Sequence, residues 1–255
     1  MNTTKIKLPG VNDYFTEEAF NVLRTNIQFC GQNVKVIAIT SCTMNEGKTV
    51  ISMHIGRSLS ELGKKVLVID ADMRKSVMAG RNSDAKDVKG LSEVVTGQAD
   101  RSDCIYQTQY ENLHIMFSGQ YPPNPVELLD GEYFDNLLDY AKRNYDYVII
   151  DTPPLGMVID AAVVAAKCDS ALVVIASNRS KYTVAQDVIN QLEKSGCNVL
   201  GVVLNNVDNK GKGYYSKKKG YGYGYGYGYG NNKSYYANSS SSKKSTDKAE
   251  KAASK

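Results

Sequence analysis

The stretch that most constrains the fold runs from residue 34 to residue 49 and reads VKVIAITSCTMNEGKT. It opens with apolar and β-branched residues, continues into a short polar loop and ends at Gly47, Lys48 and Thr49. A buried strand, a loop and a helix that begins at Gly-Lys-Thr form the layout of a phosphate-binding P-loop. Backbone N–H groups of such a loop and the positive end of the helix dipole bind phosphate oxygens. The stretch therefore predicts a P-loop within an α/β fold.

The residue types of this loop predict its chemistry. Lys48 is expected to reach the β- and γ-phosphates of a nucleotide, and the Thr49 hydroxyl is expected to bind Mg²⁺. Gly47 lets the backbone approach where a Cβ would clash. In the full pattern G-x-x-x-x-G-K-[ST], the first glycine falls at Cys42, so this motif is truncated. A truncated motif could also be an ordinary helix start with an exposed lysine. Other residues of the chain must therefore distinguish this alternative from a phosphate-binding loop.

Composition excludes several classes of protein. The apolar fraction of 42% over 255 residues suffices for a sizeable core. No apolar run approaches the 18 or so residues of a membrane span, and the start MNTTKIK does not resemble a secretory signal. The five cysteines are scattered without a C-x-x-C pair, which argues against a structural zinc site, an iron–sulfur cluster or a disulfide framework. We therefore expect a cytoplasmic protein unless a partner holds it at a membrane.

Charge and tyrosine content change abruptly near the C-terminus. Residues 211–255 carry ten lysines and two acidic residues, a net charge of +8, whereas the chain as a whole carries +4. Residues 220–230 read GYGYGYGYGYG, and nine of the 18 tyrosines lie in this region. Alternating glycine is incompatible with a stable helix or a packed strand. We predict a single P-loop domain over 1–207 and a disordered Tyr/Gly/Lys-rich tail over 208–255.

The chain up to residue 207 alternates short apolar strands with helical patterns. Strands are predicted at 34–40, 66–69, 113–117, 147–150, 171–175 and 199–205, and helices at 16–29, 47–62, 90–96, 125–143, 159–167 and 183–194. Residues 1–15 are expected to form a loose lead-in, and residues 77–90 a loop. Fully apolar strands separated by helices predict a doubly wound, mainly parallel sheet covered on both faces. Ligands of such sheets bind beyond the carboxyl ends of the strands.

Three acidic residues follow strands of this predicted sheet. Asp70 and Asp72 come after one strand, and Asp151 comes after another. A strand-end aspartate holds Mg²⁺ in many P-loop proteins because a hard cation takes oxygen ligands. A turn or a helix cap explains one such aspartate alone. All three together with Gly-Lys-Thr favour a nucleotide and magnesium site.

Longer motifs resemble one family. The segment VLVIDADMR resembles the Walker A′ motif of the bacterial tyrosine kinases, the P-loop family that controls capsule and exopolysaccharide synthesis. YDYVIIDTPP is similar to the Walker B segment of that family, and the tyrosine-rich C-terminal tail is its third hallmark. GLSEVVTG and SGQYPPNPVELL resemble its linking segments. The likeness covers about residues 14–236 and is greatest to the cytosolic type, a separate kinase chain activated by a transmembrane polysaccharide co-polymerase.

The resemblance implies a P-loop NTPase fold of the MinD/ParA type and an ATP- and Mg²⁺-dependent protein-tyrosine kinase. The implied nucleotide-binding residues are Cys42, Thr43, Met44, Asn45, Glu46, Gly47, Lys48, Thr49, Val50 and, as an adenine contact, Asn205. The implied catalytic residues are Lys48, Asp72 and Asp70, the last accepting the proton of the attacking tyrosine; the implied magnesium ligands are Thr49, Asp72 and Asp151. The implied phosphoacceptors, phosphorylated in trans, are Tyr214, Tyr215, Tyr221, Tyr223, Tyr225, Tyr227, Tyr229, Tyr235 and Tyr236. A strand-end asparagine such as Asn205 is as often a turn residue.

The resemblance also implies partners. They are the transmembrane co-polymerase, which recruits the chain to the inner face of the plasma membrane, a ring-like homo-oligomer and a cognate tyrosine phosphatase; no nucleic acid is expected. The family uses an E-x-x-R-x-x-R pattern for ring assembly, but here Asn21 replaces the first arginine. Glu18 and Arg24 are predicted to pair between subunits. Ordinary surface charges on a solvated helix are the alternative.

Two other classes of function remain open. A positioning ATPase related to MinD and ParA would hydrolyse ATP without phosphorylating protein, but its signature lysine is Thr43 here. A binding module could contact single-stranded nucleic acid through the tail by stacking and charge. That module leaves Asp70, Asp72 and Asp151 unexplained. The sequence favours the kinase.

Overall fold

The computed structural model describes residues 2–8, 14–31, 33–83 and 88–207. The predicted tail and its nine tyrosines lie outside the described residues. The domain boundary predicted after residue 207 and the disorder of the tail therefore stay predictions.

Strands of the described residues form one eight-stranded sheet in the order β1-β4-β5-β3-β6-β2-β7-β8. The strands are β1 (Asn2–Thr3), β2 (Val36–Ser41), β3 (Val66–Asp70), β4 (Tyr106–Gln107), β5 (Leu113–Met116), β6 (Tyr147–Asp151), β7 (Ser170–Ala176) and β8 (Val199–Asn205). The six strands from β5 to β8 in this order are mutually parallel. Strand β4 is antiparallel to β5, and β1 pairs with β4 in parallel. The predicted mainly parallel sheet is confirmed.

Apolar side chains cover both faces of the sheet. In β2, Val36 and Ala38 belong to one core, and Ile37 and Ile39 belong to the other. Successive side chains of a strand point to opposite faces, so a strand that is apolar at every position needs a cover on each side. This is why the near-continuous apolar runs in the sequence form central strands.

Helices supply the two covers. They are α1 (Tyr14–Phe29), α2 (Lys48–Ser60), α3 (Met78–Asn82), α4 (Leu91–Val95), α5 (Arg101–Cys104), α6 (Pro125–Asp130), α7 (Glu132–Asn144), α8 (Asp160–Ala166) and α9 (Tyr182–Lys194). Helices α1 and α2 pack on one face, for example through Ile27 and Leu59. Helices α7, α8 and α9 pack on the other face, for example through Phe134 and Val188. The predicted doubly wound α/β fold is confirmed.

Several boundaries differ from the prediction. The single helix expected over 125–143 is two helices, because Gly131 adopts an extended conformation (φ −77°, ψ 162°) between α6 and α7. The predicted loop over 77–90 contains the short helix α3, and the lead-in contains β1 and the start of α1 at Tyr14. Short elements of two to five residues give no hydrophobic periodicity, and pairing with neighbouring segments stabilises them.

The sheet topology brings the polar strand ends together. Strands β3 and β6 are neighbours in register, so that Asp70 lies opposite Asp151. Strand β6 pairs with β3 on one side and with β2 on the other, and β2 leads into the loop before α2. The loop 42–47 and the acidic residues therefore share one edge of the sheet.

Candidate active site

The loop between β2 and α2 has the predicted phosphate-loop conformation at its glycine. Gly47 has a φ of 94°, and helix α2 begins at the next residue with the Ile51 N–H donating to the Gly47 carbonyl at 2.9 Å. A Cβ on Gly47 would also collide with the side-chain amide of Asn205. Both the left-handed backbone and this close approach require glycine at position 47.

The buried carboxylate of Glu46 anchors this loop through hydrogen bonds. Glu46 is wholly buried. Its Oε2 accepts the Thr43 N–H at 2.7 Å, and its Oε1 accepts the Ser180 hydroxyl at 2.6 Å. The Asn205 Nδ2 donates to the Glu46 carbonyl at 2.9 Å. The Glu46 side chain therefore anchors the loop to the segment after β7 instead of facing a ligand. Asn205, the last residue of β8, holds the same loop through its hydrogen bond to the Glu46 carbonyl.

Cys42, which stands where the full motif has glycine, points into the core. It is fully buried in the core that also contains Ala38 and Leu155, and burial raises the pKa of its thiol to about 11. A Cβ on Gly156 would collide with the Cys42 carbonyl. Gly156 thus gives the loop its space on the backbone side, and the cysteine side chain does not enter the site.

A cavity of about 770 Å³ opens in front of the loop. Six of the predicted nucleotide-binding residues line it, namely Met44, Asn45, Gly47, Lys48, Thr49 and Val50. Its opposite wall comes from residues of the segments 72–77 and 153–158, which follow β3 and β6. Cys42, Thr43, Glu46 and Asn205 do not line it, so the structure does not bring these four predicted residues to the cavity wall.

Asp70, at the end of β3, does not line this cavity, and its environment is unusual for a carboxylate. It is buried, and it accepts a hydrogen bond from the Ser76 hydroxyl at 2.5 Å and one from the Asp72 N–H at 3.1 Å. Burial and the neighbouring Asp151 raise the pKa of Asp70 well above its usual value. A carboxylate with a raised pKa binds a proton more readily, which suits a group that must accept one.

Asp151 is buried beside it. Ser52 Oγ donates to Asp151 Oδ1 at 3.3 Å. Burial raises the pKa of Asp151 to about 6, although Lys48 and a hydrogen bond from Thr49 act in the opposite direction. Ser52 and Ser76 were missed by sequence reasoning. Ser52 could have been found, because it lies three residues after Thr49 on the same helical face; Ser76 carries no sequence signal.

Lys48 and Asp72 complete the group. Lys48 Nζ lies 3.5 Å from Asp72 Oδ2, and both side chains are about nine-tenths buried, with exposures of 11% and 9%. Asp72 Oδ1 also accepts the Lys75 N–H at 3.0 Å, which fixes the segment after β3. The three aspartates are brought together as predicted, with Lys48 among them.

The donor atoms of this group fit a magnesium ion bound together with a nucleotide. Thr49, Asp72 and Asp151 offer hydroxyl and carboxylate oxygens, the ligands that Mg²⁺ prefers. Burial, with a smaller contribution from repulsion between neighbouring aspartates, raises the pKa of Asp70 and Asp151, so a bound cation would stabilise their charged forms. No cluster of three or more His, Cys, Asp or Glu side chains arranged for a metal occurs in the described part of the chain. Phosphate and water oxygens would therefore have to complete the coordination of the ion.

The residues predicted for subunit assembly lie on α1, apart from this cavity. Arg24 Nη1 donates to the Ser58 carbonyl at 3.2 Å and to the Ser58 hydroxyl at 3.1 Å on α2. Glu18 accepts a hydrogen bond from Asn21 at 3.3 Å. Arg24 thus has a role within the chain, and pairing of Glu18 with Arg24 between subunits stays a prediction.

None of the helices among the described residues combines the length and the apolar character needed to cross a bilayer.

Comparisons with known proteins agree with this geometry. The family model described as AAA domain matches residues 34–199. The tyrosine-protein kinase CpsD of Streptococcus agalactiae is 44% identical over 193 residues, which cover 76% of this chain and 84% of the relative.

Solved structures are similar as well. The chimerical protein CapA2B2 superposes with a TM-score of 0.72 at 31% identity, covering 80% of this chain and 93% of the other. The septum site-determining protein MinD of Pyrococcus horikoshii, complexed with Mg-ADP, gives a TM-score of 0.56 at 29% identity over 67% of this chain and 70% of the other. The strand–loop–helix, the paired strand-end aspartates and these likenesses agree: the chain belongs to the CpsD family of P-loop tyrosine-protein kinases.

Proposed function

We propose that this chain is an ATP-dependent protein-tyrosine kinase that phosphorylates its own C-terminal tyrosines in trans and regulates capsule or exopolysaccharide synthesis and export. The observation that carries the proposal is the grouping of Asp70, whose pKa is raised, with Asp72, Asp151 and Lys48 next to a cavity that Lys48 and Asp72 line. The phosphoacceptors would be Tyr214, Tyr215, Tyr221, Tyr223, Tyr225, Tyr227, Tyr229, Tyr235 and Tyr236.

ATP would bind with its phosphates in the loop before α2. Gly47 and the first N–H groups of α2 would bind phosphate oxygens, and Lys48 would leave Asp72 to reach the β- and γ-phosphates. We propose Asn205 as an adenine contact: it does not line the cavity, but its amide donates to the Glu46 carbonyl at the end of the phosphate loop.

Thr49, Asp72 and Asp151 would hold Mg²⁺, which when bound neutralises charge on the β- and γ-phosphates. Asp70 would accept the proton of the tyrosine hydroxyl, with Ser76 fixing its orientation. The raised pKa of Asp70 narrows the gap to the tyrosine pKa near 10. Positioning and electrostatic stabilisation still carry most of the catalysis, since phosphoryl transfer has a loose transition state.

Transfer in trans requires subunits that meet near their active sites. We propose a ring-like homo-oligomer to which Glu18 and Arg24 of α1 contribute. A transmembrane polysaccharide co-polymerase would activate the chain and recruit it from the cytoplasm to the inner face of the plasma membrane. A cognate tyrosine phosphatase would reverse the modification.

A positioning ATPase without kinase activity is the second candidate. The similarity to MinD, whose solved structure is a complex with Mg-ADP, favours it. Position 43 would carry the signature lysine of that class, but here it is threonine, and its N–H is bound to Glu46. This departure places the kinase first.

Mass-spectrometric mapping of phosphate tests the proposal. The full chain is incubated with Mg²⁺-ATP and the cytosolic segment of a co-polymerase, beside Lys48→Met and Lys194→Met, the latter a matched change at an exposed position on α9. Phosphotyrosine between residues 214 and 236 in the parent and in Lys194→Met, but not in Lys48→Met, is expected. ATP hydrolysis without phosphotyrosine in the presence of bound activator would instead support the positioning ATPase.

A further inference from the structure

An ion pair spans the cavity wall opposite the phosphate loop. Arg74 Nε donates to Asp160 Oδ1 at 2.8 Å. Arg74 lies two residues after Asp72, and Asp160 begins α8 after the segment that follows β6. The pair therefore joins the two segments that form this wall.

The environment of the Asp160 carboxylate is unfavourable for a charged group. Its side chain is 1% exposed, and Oδ2 is buried without a hydrogen-bond partner among the described residues. A buried carboxylate with one unsatisfied oxygen is unfavourable, and a buried ion pair is a poor source of stability compared with apolar packing. We therefore attribute the Arg74–Asp160 pair to conformational specificity instead of stability, since the carboxylate fixes the planar guanidinium of Arg74 in one orientation.

Arg74 is held by one nitrogen and keeps its other donors. Its side chain is 36% exposed and lines the cavity, and Asp160 is its hydrogen-bond partner within the described part of the chain. An arginine anchored through Nε presents its two Nη groups as a fork that matches a phosphate. The cation therefore faces the cavity as a preformed anion-binding group.

The surroundings of Arg74 suit an aromatic phosphate ester. Beside the charged side chains of Asp72, Arg74 and Lys75, the segments after β3 and β6 line the cavity with apolar Val77, Pro153, Pro154, Met157 and Val158, and Lys48 lines it from the phosphate loop. A tyrosine ring can bury its apolar faces on such a wall and keep its oxygen directed to the charged groups. A phosphoryl group that moves from ATP to tyrosine would thus move from Lys48 towards Arg74.

We propose that Asp160 is a positioning residue that fixes Arg74 on the acceptor side of the cavity, where the Arg74 guanidinium binds the phosphate of the phosphotyrosine as it forms. This inference rests on the proposed kinase function. In the reaction the tyrosine oxygen bonds to the γ-phosphorus, and the bond to the β,γ-bridging oxygen breaks. ADP leaves with that electron pair, and the tyrosine proton passes to Asp70. Arg74 stays protonated throughout and contributes only charge and hydrogen bonds.

A double-mutant cycle tests the inference. The parent is the full chain with its nine tail tyrosines changed to phenylalanine, compared with Asp160→Asn, Arg74→Gln and the double variant. The probe is a peptide based on residues 218–229 in which Tyr221, Tyr225, Tyr227 and Tyr229 are changed to phenylalanine, so that Tyr223 is its one tyrosine, in phosphorylated and unphosphorylated forms. Fluorescence anisotropy with Mg²⁺-ADP present gives phosphopeptide affinity, and steady-state transfer from Mg²⁺-ATP to the unphosphorylated peptide, with the cytosolic segment of a co-polymerase present, gives kcat and KM.

The expected result is coupling between the two residues. Arg74→Gln should weaken phosphopeptide binding about tenfold, and Asp160→Asn about threefold to tenfold, because each removes charge-assisted hydrogen bonds. The double variant should be no weaker than Arg74→Gln, since Asp160 acts through Arg74. ADP affinity should stay within about twofold of the parent, because the phosphate loop is unchanged. Asp135→Asn, which removes a surface ion pair with Lys167, is the matched control and should change none of these values.

Several results would overturn the inference. Unchanged phosphopeptide affinity in Asp160→Asn, or a parent that does not bind the phosphopeptide, would remove the assigned role. An undiminished effect of Asp160→Asn in the Arg74→Gln background would show that the two residues act independently. Thermal unfolding of each variant guards against misfolding, and Asp160→Glu should recover part of the affinity. A parent that binds the phosphopeptide through this pair but transfers no phosphate would refute the proposed kinase and leave the phosphotyrosine site standing.

Discussion

Asp70 and Asp151 are buried carboxylates whose charged forms lower the stability of the fold. Both are buried, they lie opposite each other on neighbouring strands, and the pKa of each is raised by burial. Their positions at the ends of apolar strands were predictable from the sequence. Their electrostatics were not, because the pKa values depend on which strands become neighbours.

The chain without Mg²⁺ should lose stability as the pH rises. The unfolded chain releases the Asp151 proton near pH 4, whereas the folded chain holds it until about pH 6. The folded state therefore binds more protons in this interval, and the free energy of unfolding falls as pH increases through it. For Asp151 alone, a shift of about two units corresponds to at most roughly 3 kcal/mol. Asp70 acts in the same direction.

Urea denaturation between pH 4.5 and pH 8 in the presence of a chelator measures this effect. Asp151→Asn should flatten the decline and make the chain more stable than the parent at pH 8, while Asp135→Asn should follow the parent. A parent whose unfolding free energy rose across this interval would contradict the assignment.

Restoring the motif glycine at Cys42 should weaken the fold. Cys42 has no positive φ, and its side chain fills core space. Cys42→Gly should therefore destabilise by about 1–2 kcal/mol through a small cavity and added backbone entropy, with ATP affinity nearly unchanged. Chemical denaturation and nucleotide titration check this. A stabilised variant would mean that cysteine is a strained substitute for glycine.

Secondary-structure elements with strong hydrophobic patterns were predictable, and those defined by tertiary contacts were not. The apolar runs of β2, β3, β6 and β7 were identified, and so was helix α2. The two-residue strands β1 and β4 exist because they pair with each other and β5, which no local pattern encodes. The break at Gly131 and the anchoring of the phosphate loop by Glu46 likewise depend on distant partners.

Glu46→Gln should loosen the phosphate loop against β7 and β8. The amide replaces one acceptor oxygen by a donor, so either the Thr43 N–H or the Ser180 hydroxyl loses its acceptor. Leaving a buried donor unsatisfied costs about 1–3 kcal/mol, and ATP affinity should fall with the loss of loop order.

Glu61→Gln is the control, because Glu61 is exposed and pairs with Arg57 on the surface of α2. Glu46→Gln should have a lower free energy of unfolding in urea and a lower ATP affinity in nucleotide titration than Glu61→Gln. Equal values would show that the Glu46 contacts do not support the loop.

The whole chain combines a globule of about −4 with a basic tail of +8 over residues 211–255. Each phosphate adds about −1.5 to −2 at neutral pH, so four or five phosphates would cancel the charge of the tail. We expect phosphorylation to loosen the proposed homo-oligomer or its contact with the proposed membrane partner. Light scattering and co-polymerase binding at stepwise phosphorylation measure this, and unchanged mass and affinity for a fully phosphorylated tail would refute it.

Transfer between two chains is the most direct test of the proposed kinase. A donor chain with its nine tail tyrosines changed to phenylalanine is mixed with a Lys48→Met acceptor chain that keeps them, together with Mg²⁺-ATP and the activator segment. We predict phosphotyrosine between residues 214 and 236 of the acceptor chain, and none when the donor also carries Asp70→Asn. Hydrolysis of ATP by the donor with no phosphotyrosine on the acceptor would contradict the kinase and favour the positioning ATPase.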